Sequence, residues 1–390
     1  MNDPIKINWY RSPVDRAVMS ELMRTSDLRG FLQVIPQLAL FVVTGALAYA
    51  AYLHVSSANW PWAVPLLLGA LFVHGTFSSF LGSVGPVHEL CHKTPFRSKA
   101  LNEFFLKIFS FLSWSDYVGF RPSHVKHHQV TVHTDHDGEV VLPRKLNLGF
   151  VSFYLGLLTV RPTIIARRVG ALVAATRGRI VDGELNGPWL QRVLPETNAT
   201  LRAEHRRWAW TVLLGQAALA AAFIATGHPF LILIVNCGSF YCFWFAALCG
   251  LPQHIGLSPN VPDFRLCCRT YTCGRFIGFL YWNMNYHVEH RMFPAVPFYN
   301  LPKLRAALAA DLPPRPTASS PPGARSSPSF AARTPTPPTR SSRACPLRPS
   351  LPRNMPRPPA PAVSPLCPKG VCHLIDDNPI GPLPFKILTN

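Results

Sequence analysis

The sequence predicts an all-α integral membrane protein, in which four transmembrane helices support a cytoplasmic helical cap that contains histidine clusters. Three observations lead to this fold class. The chain is 48% hydrophobic and only 15% charged, four apolar segments are long enough to cross a bilayer without a charged residue, and histidines recur in three short clusters. A length of 390 residues would also allow two or three soluble domains, but this composition is typical of a membrane protein.

The N-terminal part predicts a cytoplasmic segment followed by two spans. Residues 1–30 are polar and of mixed charge, and no small-residue cleavage site indicates a secretory signal. Residues 31–53 form the first predicted span and residues 61–84 the second, each long enough for the hydrocarbon layer. His74 lies inside the second span, and we expect a packed, neutral histidine there rather than a ligand.

The middle of the chain is basic and contains two shorter apolar patches, FFLKIFSFLSWSDYVGF and LGFVSFYLGLLTV. Because each patch is short or interrupted by charge, we expect interfacial or re-entrant helices rather than spans. The third and fourth predicted spans, residues 209–227 and 229–251, follow with an uncharged corner between them. Four spans place both termini and the basic loop on one side, which the positive-inside rule makes cytoplasmic.

The histidine clusters HELCH, HVKHH and HVEH all fall on this predicted cytoplasmic side. Spacings of three and four residues place imidazoles on one face of a helix, and imidazole binds zinc, copper, iron and nickel. A lone histidine is usually a surface or hydrogen-bonded core residue, but three clusters together predict a metal centre. The candidate ligands are too many for one ion, so we predict two ions held by His88, His92, His124, His127, His128, His287 and His290.

The cysteines and the C-terminal part predict no further chemistry. Cys267, Cys268 and Cys273 with His254 do not have a known zinc-binding spacing, and cytoplasmic thiols stay reduced. We expect the membrane domain to cover residues 31–310. Residues 311–390 are rich in proline, serine and arginine, and we expect either a disordered tail or a frame-shifted translation. The net charge of +19 is explained by this tail and by basic membrane flanks, because no nucleic-acid-binding motif accompanies it.

The segments HELCH, HVKHH and NYHVEHRMFPAVPFYNLPKL resemble the three histidine boxes of the membrane fatty acid desaturase and hydroxylase superfamily. Within it the chain is similar to bacterial desaturase-like hydrocarbon oxygenases, including one associated with rhizopine catabolism. The resemblance implies two non-haem iron ions on the cytoplasmic side of four spans, with O2 as co-substrate. It also implies a desaturase or monooxygenase that acts on C–H bonds of a lipid or hydrocarbon chain, in a bacterial inner membrane rather than the endoplasmic reticulum.

The family pattern transfers to the seven histidines named above and adds His254, in LPQHIGL, as a further ligand. The departure is Arg291, which stands where the family has a third box histidine. Arginine cannot bind iron because it stays protonated in proteins. Three explanations remain open: the site binds iron with one ligand fewer, His133 or His136 substitutes, or the chain is impaired or contains a sequence error.

Nearby carboxylates are candidates to orient the ligand imidazoles by accepting their second N–H group, namely Glu89, Asp135, Asp137, Glu139 and Glu289. The sequence has no haem-binding HPGG segment, no nucleotide-binding loop and no cysteine cluster for iron and sulfur. A separate ferredoxin, rubredoxin or cytochrome is therefore the expected electron donor.

Two other function classes compete with this interpretation. A non-catalytic metal-binding membrane protein, such as a transporter, needs histidines along a path within the spans, where only His74 lies. A zinc-dependent membrane hydrolase needs three protein ligands and one open position, which is fewer ligands than the sequence offers.

Overall fold

The computed structural model describes residues 6–139 and 151–313. These two ranges contain helices and no strand, which confirms the predicted all-α class. In chain order the helices are α1 (Arg16–Leu22), α2 (Asp27–Leu53), α3 (Trp60–Ser78), α4 (Pro86–Cys91), α5 (Lys99–Leu112), α6 (Tyr117–Val130), α7 (Val151–Leu158), α8 (Pro162–Thr176), α9 (Gly187–Val193), α10 (Ala199–Ala225), α11 (Trp244–Gly250), α12 (Phe264–Cys267), α13 (Arg275–Leu280), α14 (His287–Met292) and α15 (Leu301–Ala307).

Three helical segments are long and apolar enough to cross a membrane: Asp27–Leu53, Trp60–Cys91 and Ala199–Ala225. They overlap the first three predicted spans, and α2 packs against α3 along much of its length. The second segment is not one straight helix, because a 3-10 turn at Ser79–Leu81 separates α3 from α4. Helix α4 therefore extends directly from an apolar segment into the histidine-rich part of the chain.

The fourth predicted span, residues 229–251, is not a continuous helix. It consists of a π-helical turn at Ile232–Asn236, a 3-10 turn at Gly238–Phe240 and the short helix α11. Side chains from other parts of the chain bond to backbone carbonyls that a regular helix would satisfy itself: Trp114 Nε1 donates to the Asn236 carbonyl at 2.7 Å, for example. The fourth span therefore stays a prediction.

His74 contacts this irregular segment from α3. Its Nε2 lies 3.0 Å from the Ile234 carbonyl and its Nδ1 lies 2.9 Å from Thr44 Oγ1. The ring is fully buried. Both nitrogens thus have partners in the helices around them, as expected for a packed histidine rather than a metal ligand.

The two apolar patches of the basic region form short helices, as predicted. The first patch becomes α5 and the beginning of α6, while the second becomes α7, with its first residues outside the described ranges. Helices α5 and α6 both pack against α4. Three short helices thereby meet at the end of an apolar segment, and this junction positions the first two histidine clusters.

The two ends of the described chain meet at Asp311. Its carboxylate accepts hydrogen bonds from Tyr10 and Ser12 at 2.9 and 2.5 Å, and it pairs with Arg265 at 2.8 Å. The packed structure therefore includes Asp311, one residue beyond the predicted end of the membrane domain. The predicted tail from residue 314 onward lies outside the described residues.

Candidate metal centre

Four segments bring the predicted ligands together. Helix α4 contains His88 and ends before His92, and helix α6 contains His124, His127 and His128 on neighbouring turns. Helix α14 contains His287 and His290, and His254 follows the 3-10 turn Leu251–Gln253. Each of these side chains is buried or half-buried. The structure places them in two adjacent groups.

The first group, here called the five-histidine group, consists of His88, His92, His124, His128 and His290. One ring nitrogen from each lies within 4.8 Å of the others. His124 Nε2 is 3.1 Å from His92 Nε2 and 3.0 Å from His128 Nε2. An imidazole nitrogen has either one hydrogen or one lone pair, so His124 Nε2 cannot form proper hydrogen bonds with both neighbours. The positions of these nitrogens are those of a group that could hold a metal ion.

Carboxylates contact two rings of the five-histidine group at their Nδ1 atoms. Glu89 Oε1 lies 2.9 Å from His88 Nδ1, and Glu139 Oε1 lies 2.7 Å from His124 Nδ1. Ser123 donates a further hydrogen bond to Glu139. A carboxylate that accepts the Nδ1–H group leaves the lone pair on Nε2, which is the usual arrangement behind metal-binding histidines.

Three ring nitrogens in this group are buried without a hydrogen-bond partner among the described residues. They are Nδ1 of His128 and both nitrogens of His290. Leaving one buried polar atom without a partner costs about 1–3 kcal/mol, and folded proteins contain few such atoms. A cation bound within the group would supply the missing partner for a nitrogen that faces it, so these residues fit a metal ion.

Burial also sets the protonation state that metal binding requires. Burial and then the positive charge of Arg291 lower the pKa of His92 to about 3. Burial likewise holds the pKa of His124, His128 and His290 well below the ordinary value. The imidazoles are therefore neutral near pH 7, with lone pairs free for a metal.

The Glu139 carboxyl group, which contacts His124, would be ionised more readily beside a positive charge. Burial raises the pKa of this carboxyl group to about 8. A cation in the adjacent five-histidine group would lower this pKa again, because an opposite charge nearby favours the ionised form. Neutral imidazoles beside a carboxyl group that a cation would ionise are the charge states expected of a site that could bind a cation.

The second group consists of His127, His254, Cys268 and His287. One ligand atom each from His254, Cys268 and His287 lies within 4.8 Å of the others, and the His127 ring centroid is 5.8 Å from that of His254. His287 Nε2 and His254 Nε2 are 3.0 Å apart. Imidazole groups therefore converge here as well.

Two of the three rings of the second group, those of His127 and His254, also have partners that fix their tautomers, whereas Nδ1 of His287 has none among the described residues. His254 Nδ1 donates to the Cys267 carbonyl at 2.9 Å, and His127 Nδ1 lies 2.7 Å from Asp137 Oδ2. Although burial opposes it, His127 and two backbone N–H groups hold the pKa of Asp137 below its ordinary value. The carboxylate therefore accepts the His127 Nδ1–H group, and Nε2 keeps its lone pair.

Arg291 reaches into the second group and engages these lone pairs. Its Nη2 contacts His127 Nε2, and its Nε donates to His287 Nε2 at 3.1 Å. The arginine is only 2% exposed. Two of the three imidazoles therefore already interact with a cation of the chain itself. The second group does not fit a metal ion in the way that the five-histidine group does.

The remaining sequence candidates lie elsewhere. His133 Nδ1 is 3.0 Å from the Thr131 carbonyl, and neither His133 nor His136 belongs to either group. Their positions do not support a replacement for the missing box histidine. Cys268 lies near His254 and His287, although the sequence analysis assigned it no metal. This position could not be predicted, because it depends on the packing of α12 against α14 and not on any spacing in the chain.

Two of the five carboxylates proposed as orienting partners do not contact a ligand histidine. Asp135 is exposed. Glu289 instead accepts a hydrogen bond from Thr270 and pairs with Arg305 at 3.0 Å. It thereby links α14 to α15 and holds the helix that presents His287 and His290.

Comparison with known proteins agrees with this geometry. The family model for fatty acid desaturases matches residues 60–321. The sphingolipid delta(4)-desaturase of Candida albicans is 23% identical over 246 residues, which cover 60% of this chain and 60% of that protein. The delta(6)-fatty-acid desaturase fat-3 of Caenorhabditis elegans is 25% identical over 233 residues, which cover 55% of this chain and 52% of that protein.

The chain thus spans between half and two thirds of the length of these curated relatives. The family match, by contrast, covers most of this chain and contains all three histidine clusters. The described residues also form helices, with apolar segments and histidine-rich candidate metal sites. The chain belongs to the fatty acid desaturase family.

Proposed function

We propose that the chain is an O2-dependent, iron-dependent oxidoreductase that desaturates or hydroxylates C–H bonds of a lipid or hydrocarbon chain. The observation that supports it most is the five-histidine group, in which neutral, buried imidazoles converge within 4.8 Å. Both curated relatives are desaturases by name, one of sphingolipids and one of fatty acids. An acyl lipid is therefore the proposed substrate class.

In this proposal His88, His92, His124, His128 and His290 would hold the iron. Bound iron would supply the reduction of O2 to an oxidant strong enough to remove hydrogen from an unactivated C–H bond, which no side chain can achieve. Glu89 and Glu139 would keep His88 and His124 oriented. The buried position of the group would exclude bulk water from the reacting centre.

The apolar helices support membrane association and access for an acyl chain. Helix α4 continues the apolar segment that begins at Trp60, so the five-histidine group lies next to the end of a candidate span. We infer a multi-pass protein whose site faces the cytoplasm, because the basic residues concentrate in the same part of the chain as the histidines. A fourth crossing by residues 229–251 would have to use irregular helical turns rather than a regular helix.

Electrons would come from a separate ferredoxin, rubredoxin or cytochrome. The positively charged side of the molecule would attract an acidic donor of this kind. A zinc hydrolase is less well supported, because such sites use three protein ligands and the five-histidine group offers more. A transporter is less well supported because His74, the one histidine inside a predicted span, is engaged by Thr44 and Ile234.

The test is turnover by the purified protein in lipid nanodiscs. The protein would be loaded with ferrous iron and supplied with O2, a reduced ferredoxin and acyl lipids, and the products would be identified by mass spectrometry. We expect an acyl chain that has lost two hydrogens or gained an oxygen atom derived from labelled O2. The matched control is His290→Ala under the same conditions. An iron-loaded protein that converts neither acyl lipids nor alkanes would contradict the proposal.

A further inference from the structure

The side chain of Arg291 occupies the interior of the second group. It is 2% exposed and lies on α14, one turn after His287. Its guanidinium contacts Nε2 of both His127 and His287, while Nη1 has no hydrogen-bond partner among the residues that the structure describes. A buried guanidinium with imidazole nitrogens as its partners is unusual, because arginine normally pairs with carboxylates.

The partners of this arginine are groups that would otherwise bind a metal. An imidazole nitrogen without hydrogen has a single lone pair. The lone pair of His127 Nε2 cannot accept an N–H group from Arg291 and bind a metal ion at the same time, and the same holds for His287 Nε2. Only His254 and Cys268 of the second group are left, which are too few to hold an ion on their own.

The charges of the site lead to the same conclusion. His127 connects the Asp137 carboxylate, 2.7 Å from its Nδ1, to the guanidinium at its Nε2. In metalloproteins the chain of groups runs from carboxylate through histidine to metal. Here a guanidinium stands at the position of the metal and supplies the positive charge. A second cation beside it would be repelled in a buried site of low dielectric constant.

We propose that Arg291 takes the place of the second metal ion, so that the chain binds one iron, in the five-histidine group. In the second group the guanidinium instead holds α6 and α14 together through His127 and His287. This inference rests on the proposed function, because it concerns the same metal centre. It differs from the sequence-based prediction of two ions, which stays a prediction. Arg291 acts in it as a positioning residue, since it holds His127 and His287 and does not touch the five-histidine ligands.

The experiment measures iron bound per folded chain in the full-length protein, purified in nanodiscs after loading with excess ferrous iron. We expect about one iron per wild-type chain and about a twofold higher content in Arg291→His, since a neutral imidazole frees two lone pairs and adds a third. Arg291→Ala frees the same lone pairs and is expected to bind more iron than the wild type. Arg275→His introduces the same change at an exposed position and is expected to leave the iron content unaltered.

A spectroscopic readout distinguishes the two kinds of centre. A single ferric ion after oxidation gives an electron paramagnetic resonance signal, whereas two ferric ions coupled through a bridging ligand give none. We expect a signal that accounts for all the bound iron of the wild type, and a wild-type protein that binds iron but gives no signal would contradict a single ion.

Each outcome decides between the proposals. Two irons in the wild-type chain, or an unchanged iron content in both Arg291 variants, would overturn the role given to this residue. If the substituted proteins fail to fold, the stoichiometry of the wild type alone decides. A folded wild-type chain that binds no iron would instead overturn the proposed function.

Discussion

The two histidine groups are built from similar parts but differ in what occupies their centres. Both have imidazoles that converge at about 3 Å and a carboxylate behind at least one ring. In the five-histidine group the converging nitrogens face one another, and three ring nitrogens have no hydrogen-bond partner among the described residues, compared with one, His287 Nδ1, in the second group. In the second group two of them face the guanidinium of Arg291.

Clustered imidazoles alone are therefore not enough to define a metal site. What matters is whether their lone pairs are available, since a histidine that accepts an N–H group cannot bind a metal with the same nitrogen. One residue on α14, Arg291, engages the lone pairs of two of the eight candidate histidines. Substitutions made in one group at a time can therefore test whether only the five-histidine group binds iron.

The largest difference is expected for a histidine removed from each group. His290→Ala should lose bound iron and reduce turnover by more than about 100-fold, because even outer partners of ligands alter affinity by up to that factor. His287→Ala should keep the iron of the five-histidine group. Iron per folded chain, measured after size-exclusion chromatography, checks both variants.

The control for this pair is His54→Ala, at an exposed position. His205 is unsuitable as a control, because it is buried and its Nε2 lies 2.8 Å from Asp116 Oδ2. Equal loss of iron in His290→Ala and His287→Ala would mean that the groups act as one site.

A smaller difference is expected for the carboxylates behind the rings. Glu139→Gln should weaken iron binding by about 10–100-fold, because a neutral amide replaces the carboxylate that accepts the His124 Nδ1–H group and increases the basicity of the ring. Asp137→Asn should leave iron affinity unchanged, since its partner His127 faces Arg291. Competitive titration with an iron chelator measures both affinities, and a weaker affinity in Asp137→Asn would show that His127 is a ligand.

The pH dependence of the metal-free protein tests the buried, neutral state of the imidazoles in both groups. Burial lowers the pKa of His92 and of His254 to about 3, and of His127 to about 4, compared with about 6.5 in an unfolded chain. Below pH 6.5 the unfolded chain binds protons that the folded chain does not, so stability should fall as the pH falls from 6.5 toward 3.

Thermal unfolding of the metal-free protein between pH 8 and pH 5 measures this effect. The melting temperature should be nearly constant above about pH 7 and should decrease by several degrees below pH 6. His92→Gln should flatten the decrease, because one of the depressed groups is gone. A melting temperature that rises on acidification would contradict the assignment of neutral, buried rings.

The smallest effect is expected for Cys268→Ala. The thiol lies in the second group, but no ion is proposed there, so iron content should be unchanged and the melting temperature should shift by no more than about 3 °C. Loss of iron in this variant would identify the thiol as a ligand and would bring the second group into the metal centre.

Much of the fold class and of the centre could be predicted from the sequence, because the relevant signals are local. Uncharged apolar segments predicted α2, α3 and α10, and spacings of three and four residues predicted which histidines share a helix face. The irregular turns within residues 229–251 could not be predicted, since hydropathy does not report that Asn236 of this segment pairs with Gln216 of α10.

The division into two groups depends on contacts between distant segments and was not visible in the sequence. His290 of α14 joins the histidines of α4 and α6, while His287 on the same helix faces His254. Sequence reasoning identified Arg291 as a departure but did not predict its partners, which come from α6 as well as from its own helix. Glu139 could be proposed only as one of several carboxylates, because its contact with His124 depends on how the chain folds back after α6.

The position of bound iron shows whether one or both of the histidine groups hold a metal ion. Crystals of the iron-loaded wild-type protein, measured at the iron absorption edge, give an anomalous difference map in which only iron contributes strongly. The account predicts one peak among the ring nitrogens of His88, His92, His124, His128 and His290, and none between His127, His254 and His287. A peak in the second group, or no peak in the five-histidine group, would contradict it.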